Sequence, residues 1–141
     1  MRVNKFVIDT NVWLSYFITN RAEYLINLVA NRNVVIFRCD ELLKELARIL
    51  DYEHIKKYGL NKTVTIRLVK QITINHELEY PVKNYIPGDK DDDYIVALAL
   101  QTNSGFITSG DRHILSQKKS LELQFRKLKI ITKAEFESKF I

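Results

Sequence analysis

Cysteine is almost missing from this chain. Cys39 stands alone, so the chain can form neither an internal disulfide nor a multi-cysteine metal site. That suits a reducing compartment. Apolar runs are short, and none approaches the ~18 residues a membrane span needs. The start, Met1-Arg2-Val3-Asn4-Lys5, has no apolar stretch of the kind a signal peptide carries. A cytoplasmic protein without a membrane partner is therefore expected. Proline and glycine are sparse, at two and four residues, and Pro81 and the Pro87-Gly88 pair mark loop. No internal repeat, low-complexity tract or linker divides the chain, so 1–141 is expected to be a single domain.

What is present is the composition of a globular protein. The 141 residues are 46% hydrophobic, enough to bury a core without staples. Lys and Arg number 22 against 17 Asp and Glu, a net charge of +5. A basic surface is compatible with a phosphate-rich partner, though net charge alone does not single one out.

The stretch that organises the chain is Phe6-Val7-Ile8-Asp9-Thr10-Asn11. A short apolar run bounded by polar residues reads as a buried parallel strand. In an open α/β sheet, ligands bind at the carboxyl ends of the strands, which is where Asp9 would stand. Asp9 could equally cap the following helix. That next segment, Val12 to Ile18, reads as a helix or turn packed on the sheet. Asn20 and Glu23 have capping-box spacing and would open a helix along Ala22, Leu25, Ile26, Leu28 and Val29. Asn31-Arg32-Asn33 breaks it.

Val34 to Phe37 reads as a second strand. Asp40 is expected to cap a helix whose apolar face is Leu42, Leu43, Leu46, Ile49 and Leu50. Asp51 to Tyr58 gives a short helical piece ended by Gly59. Asn61 to Thr73 offers another helix, although Ile72 to His76 could equally begin a strand. Behind Asp89-Lys90-Asp91-Asp92-Asp93 lies an apolar helix, Ile95 to Leu100. Gly105 to Thr108 is a third strand, followed by Ser109-Gly110-Asp111. Ser116 to Arg126 is amphipathic, and Leu128 to Ile131 is the last strand. Thr132 and Glu135 form a second capping box ahead of Phe136 and Phe140. Strands alternating with helices predict an α/β fold of three layers, a central, mostly parallel sheet flanked by helices.

Four carboxylates fall where such a fold would gather them: Asp9, Glu45, Asp93 and Asp111. Each has a structural explanation of its own. Asp92 and Asp93 complement a helix macrodipole, Asp111 can cap the turn after Gly110, and Glu45 taken singly is a solvated helix residue. Glu45, however, lies three residues after Leu42 and four before Ile49, so it borders the buried stripe. A carboxylate at the edge of a buried face needs a partner. Converging acids raise one another's pKa and are stable only with a proton or a cation among them. Hard cations such as Mg²⁺ prefer oxygen ligands, and such a site suits metal-assisted phosphodiester hydrolysis. Arg112 is a candidate phosphate contact, because guanidinium matches phosphate geometry. His113 could also touch a phosphate but reads better as a surface residue. Lys56-Lys57 and Lys118-Lys119 read as solvated faces. Trp13, Tyr16 and Phe17 read as core.

The combination of FVIDTN (Phe6–Asn11), ELLKELARIL (Glu41–Leu50), DDDYIVALAL (Asp91–Leu100) and ITSGDRHIL (Ile107–Leu115) resembles the PIN-domain ribonucleases. It looks closest to the toxins of bacterial toxin–antitoxin pairs. The resemblance spans nearly the whole chain. It implies a PIN-like fold and an endoribonuclease dependent on Mg²⁺ or Mn²⁺. Asp9, Glu45, Asp93 and Asp111 would correspond to the family's four metal-binding acids. Asp93 takes the third place because it stands four residues before Ala97. The three consecutive aspartates leave Asp92 as its alternative. Asn11 and Ser109 match polar residues that orient ligands or water. The family often has Thr where Ser109 stands, a change that keeps the hydroxyl. The partners implied are RNA, a cognate antitoxin covering the acidic cleft, and a second copy in a homodimer.

Two other functions compete. A haloacid-dehalogenase-like phosphatase would also place an Asp after the first strand. It would need an acid two residues later, where this chain has Asn11. A non-catalytic basic module for nucleic acid or a partner would use the same acids only as structure.

Overall fold

The computed structural model describes residues 3–31 and 33–141. Met1 and Arg2 of the amino-terminal stretch, and Arg32 in the Asn31-Arg32-Asn33 break, lie outside the described residues. Five parallel strands form one sheet: β1 (Asn4–Ile8), β2 (Val34–Arg38), β3 (Ile74–Asn75), β4 (Phe106–Thr108) and β5 (Lys129–Ile131), in the order β3-β2-β1-β4-β5. β1 is central. Phe6 pairs with Ile36 on one side and with Phe106 on the other. Phe6, Val7 and Ile8 are all fully buried. Successive strand residues point to opposite faces, so helices must cover both faces of the sheet. Burying each of these side chains contributes roughly 2 kcal/mol.

The helices are α1 (Thr10–Ile18), α2 (Ala22–Ala30), α3 (Asp40–Leu50), α4 (Glu53–Lys56), α5 (Lys62–Ile72), α6 (Asp93–Gln101), α7 (Arg112–Ser116), α8 (Lys118–Gln124) and α9 (Lys133–Phe140). A single 3₁₀ turn, Lys90–Asp92, leads directly into α6. The apolar helix α6 packs against β1, β2 and β4. α9 is held by the expected capping box of Thr132 and Glu135. It lays Phe136 and Phe140 edge-on to Phe6, with ring centroids 5.1 and 4.8 Å away. Trp13, Tyr16 and Phe17 are core, as their apolar surroundings suggested. No helix among the described residues is long and apolar enough to cross a membrane.

Several local expectations need correcting. Asn20 does not open α2; it closes α1. Its φ is +56°, the amide of Asn20 donates to Phe17 O at 3.2 Å, and that of Arg21 to Tyr16 O at 2.8 Å. This is a Schellman ending with Asn in the left-handed position, which Asn tolerates better than most residues. Asp40 is the first residue of α3, with Cys39 at its N-cap, so it acts on the helix dipole. Both alternatives for residues 72–76 hold in part: α5 ends at Ile72, and Ile74–Asn75 adds a short edge strand to β2. Lys118 is no free solvated cation, since its Nζ donates to Glu122 and to the Ile130 carbonyl.

Candidate functional site

Parallel pairing puts every strand's carboxyl end at the same edge of the sheet. β1 is followed in the sheet by β2 on one side and by β4 on the other, the kind of switch point where α/β sheets open a crevice. Asp9 stands there, one residue beyond Ile8. Its amide donates to Thr108 O at 2.9 Å, which continues the β1–β4 ladder. That register sets Ser109 beside it, and Ser109 Oγ donates to Asp9 Oδ2 at 2.7 Å. Asp9 Oδ1 accepts from the Thr10 amide at 2.8 Å, capping α1. Cap and site geometry are thus compatible: the cap fixes a carboxylate that is only 3% exposed. Burial pushes the Asp9 pKa up to about 6. The hydrogen bonds from Ser109 and Thr10 oppose the rise, and the charges of Glu45 and Asp111 add to it.

Glu45 comes from the second turn of α3 and is half-buried at the edge of that helix's apolar face. Thr10 Oγ1 donates to its Oε1 at 3.0 Å, and the Tyr94 hydroxyl donates to its Oε2. Burial and the Glu45 charge drive the Tyr94 pKa far upward, so Tyr94 remains a phenol and a donor. Asp111 caps α7 through the His113 amide at 2.7 Å, and its own amide donates to Ser109 Oγ at 3.0 Å. Ser109 therefore bridges the two acids. Asn11 is exposed, and its Oδ1 accepts from the Gly110 amide at 3.3 Å, bracing the turn that carries Asp111. Arg112 is exposed in the first turn of α7.

Asp92 and Asp93 part company. Asp93 is 6% exposed, and its Oδ1 accepts from the amides of Tyr85 and Ile86, each at 2.8 Å. Asn84, with its amide turned to satisfy both ends, donates to Asp93 Oδ2 at 3.1 Å. That carboxylate pins the 84–86 loop. Asp92 is 8% exposed, and its Oδ2 is buried with no hydrogen-bond partner among the described residues. Burial raises its pKa to about 8, helped by the charges of Asp111, Asp9 and Asp89. Asp92 thus lies within reach of the charges of Asp9 and Asp111, while Asp93, which takes the third place by its spacing to Ala97, spends Oδ1 on the loop amides and also lines the neighbouring cleft.

These residues fit a divalent cation. They present oxygen ligands only, two of them held above the ordinary carboxylate range by burial and mutual repulsion, and one buried oxygen has no donor. Beside them opens a cleft of about 740 Å³, lined by Glu45, Asp93, Tyr94, Tyr80, Lys44 and Arg48 among others. Three contributors escaped the sequence: Thr10 and Tyr94, which hold Glu45, and Asp89, whose charge reaches Asp92. Tyr94 carried one usable signal, since it directly follows the acidic run at the head of an apolar helix.

A model of the PIN domain matches residues 5–113. No curated protein matches the chain in sequence. Seven chains of solved structures match it. One belongs to the crystal structure of VapBC2 from Rickettsia felis bound to a DNA fragment from their promoter. It has a TM-score of 0.57 and 12% identity, and the match covers 91% of this chain and 98% of that one.

Proposed function

The chain belongs to the PIN domain family, and on that premise we propose that it is a divalent-metal-dependent endoribonuclease, the toxin of a toxin–antitoxin pair. The observation that carries this reading is the buried Oδ2 of Asp92, partnerless among the described residues and within reach of the charge of buried Asp9, in a group of acids that only protons or a cation can offset.

Asp9, Glu45, Asp92 and Asp111 would hold Mg²⁺ or Mn²⁺. A bound ion would supply Lewis acidity toward a phosphate oxygen and would acidify a water. The chain's own residues do the rest. Ser109 and the Thr10 amide fix both oxygens of Asp9, and Tyr94 and Thr10 fix Glu45. Asn11 braces the Gly110 turn that carries Asp111. Asp93 holds the 84–86 loop through the Tyr85 and Ile86 amides. Lys44 and Arg48, exposed on the cleft one helical turn apart, receive RNA phosphates, and exposed Arg112, next to Asp111, is a further candidate contact.

The toxin role follows from the resemblance of the four motifs and is supported by the likeness to a chain of the VapBC2 assembly. An antitoxin would then act by covering the acidic cleft. The test is incubation of the purified protein with RNA and Mg²⁺ or Mn²⁺, with and without chelator, beside Asp9→Asn. Cleavage should need the metal and the carboxylate. Cleavage indifferent to both would favour a binding module whose acids are structural.

A further inference from the structure

The cleft beside the acids carries an aromatic ring that the core does not use. Tyr80 lines it with Lys44, Arg48 and Val82, and is 65% exposed. Two other exposed tyrosines are covered by neighbours: Tyr52 stacks on His54, and Tyr58 lies under Lys57 Nζ. Neither an aromatic nor a cationic side chain among the described residues covers the Tyr80 ring. The ring is nevertheless held. Its hydroxyl donates to Glu41 in the first turn of α3. The residue before it is clamped to the end of α6: the Glu79 amide donates to Gln101 Oε1 at 2.8 Å, and Gln101 Nε2 donates to the Glu79 carbonyl at 2.9 Å. Leu78 is buried in the core, and Asp93 holds the Tyr85 and Ile86 amides further on. Residues 76–89 contain no strand or helix, and ordered loops of that length are usually functional.

Glu41, Lys44, Glu45 and Arg48 stand at i, i+3, i+4 and i+7 and so form one stripe along α3, all four of them lining the cleft. Glu41, which anchors Tyr80, precedes Glu45 of the acid group by one turn, about 6 Å along the helix axis. We propose that the Tyr80 ring is a nucleobase-stacking subsite, which seats one unpaired base of single-stranded RNA beside the phosphates met by Lys44 and Arg48. The proposal rests on the reading of this cleft as an RNA site. Every base has a π-face to lay on an aromatic ring, and cations beside such a ring follow the backbone. Bases within a duplex are already stacked on one another, so the subsite takes only unpaired ones. The hydrogen bond to Glu41 fixes the ring before RNA arrives, which lowers the ordering cost of binding. It also pushes the Tyr80 pKa up to about 12, so the phenol stays neutral.

Oligoribonucleotides carrying one fluorescent 2-aminopurine, moved base by base along the strand, test this by binding rather than by cleavage. Stacking quenches that fluorophore. Ca²⁺ is added to offset the acids, and a gel confirms that the strand is intact. With the unmodified protein one position should be quenched, and annealing a complementary strand should abolish the quench. An abasic nucleotide at that position should weaken binding by about 5- to 100-fold. Tyr80→Phe keeps the ring and should retain the quench, with affinity within about threefold of the unmodified protein. Tyr80→Leu keeps apolar bulk without a π-face. It should lose the quench and bind the intact strand as weakly as the unmodified protein binds the abasic one. The absence of any position-specific quench overturns the proposal, as do equal losses in Tyr80→Phe and Tyr80→Leu, which would reduce Tyr80 to a latch on Glu41. A quench that depends on Tyr80 in a protein that leaves RNA uncut with Mn²⁺ keeps the subsite and sinks the nuclease reading. Metal-dependent cleavage without the quench does the reverse.

Discussion

Asp92 and Asp93 are adjacent in sequence and meet different partners at the α6 amino terminus. Asp93 accepts the Tyr85 and Ile86 amides at 2.8 Å, whereas Asp92 feels the charges of Asp111 and Asp9 and has a buried oxygen with no donor among the described residues. The 3₁₀ turn feeding into the helix separates them, because successive helical residues are rotated by about 100°. One carboxylate is compensated by backbone donors, and the other keeps an oxygen without a donor among the described residues.

The two should therefore affect stability with opposite sign. Asp93→Ala strips two amides, one of them buried, of their acceptor and should destabilise the metal-free protein by about 2 kcal/mol or more. Asp92→Asn removes a crowded buried charge and should raise metal-free stability. Urea unfolding in chelator measures both; equal effects would mean that the two side chains share one environment.

The pH dependence of stability has a defined sign. The folded Asp9 pKa is raised from 3.8 to about 6, and that of Asp92 to about 8. Between these limits the native state holds protons that the unfolded chain has released. The resulting stabilisation is complete below pH 4 and is lost as pH rises through 6 and then 8. For Asp9 alone the shift corresponds to about 3 kcal/mol. Glu122 and Glu135 have lowered pKa values, so their contribution is lost only as pH falls below the ordinary glutamate range, outside this window. Melting in chelator should thus be higher at pH 5 than at pH 8. Saturating Mn²⁺ should shrink or reverse the difference, since ligands must be deprotonated to bind. A metal-free melting temperature that climbs from pH 5 to pH 8 would contradict the raised values.

Tyr94 acts through Glu45. Tyr94→Phe keeps the ring and removes the donor, leaving Glu45 with Thr10 alone. RNA cleavage should fall by about 10- to 100-fold, the usual effect of losing an outer partner of a metal ligand. Stability should change by no more than about 1.5 kcal/mol. Unchanged cleavage would reduce Tyr94 to packing.

The sheet was legible in the sequence because Phe6-Val7-Ile8, Val34 to Phe37 and Leu128 to Ile131 are apolar runs between polar stops. The Thr132–Glu135 box was legible because both halves of a capping box lie within one turn. Asn20 misled because Asn serves helix starts and left-handed helix ends alike, and only the backbone decides. β3 was too short to show a period. The split between Asp92 and Asp93 could not be read, since a run of three aspartates carries no hydrophobic phase to fix its rotation. The approach of His113 to Asp89 joins two turns that are 24 residues apart in the sequence and has no local signature at all.

The most direct test compares Asp92→Asn with Asp93→Asn in cleavage of an RNA oligonucleotide at saturating Mn²⁺. Asp92→Asn should lose about 100-fold or more in rate, on the scale of removing a group essential to the chemistry. Asp93→Asn, which keeps an oxygen acceptor for the Tyr85 and Ile86 amides, should stay within about tenfold of the unmodified protein. Full activity in Asp92→Asn, or a loss confined to Asp93→Asn, would contradict the assignment of Asp92 to the metal site.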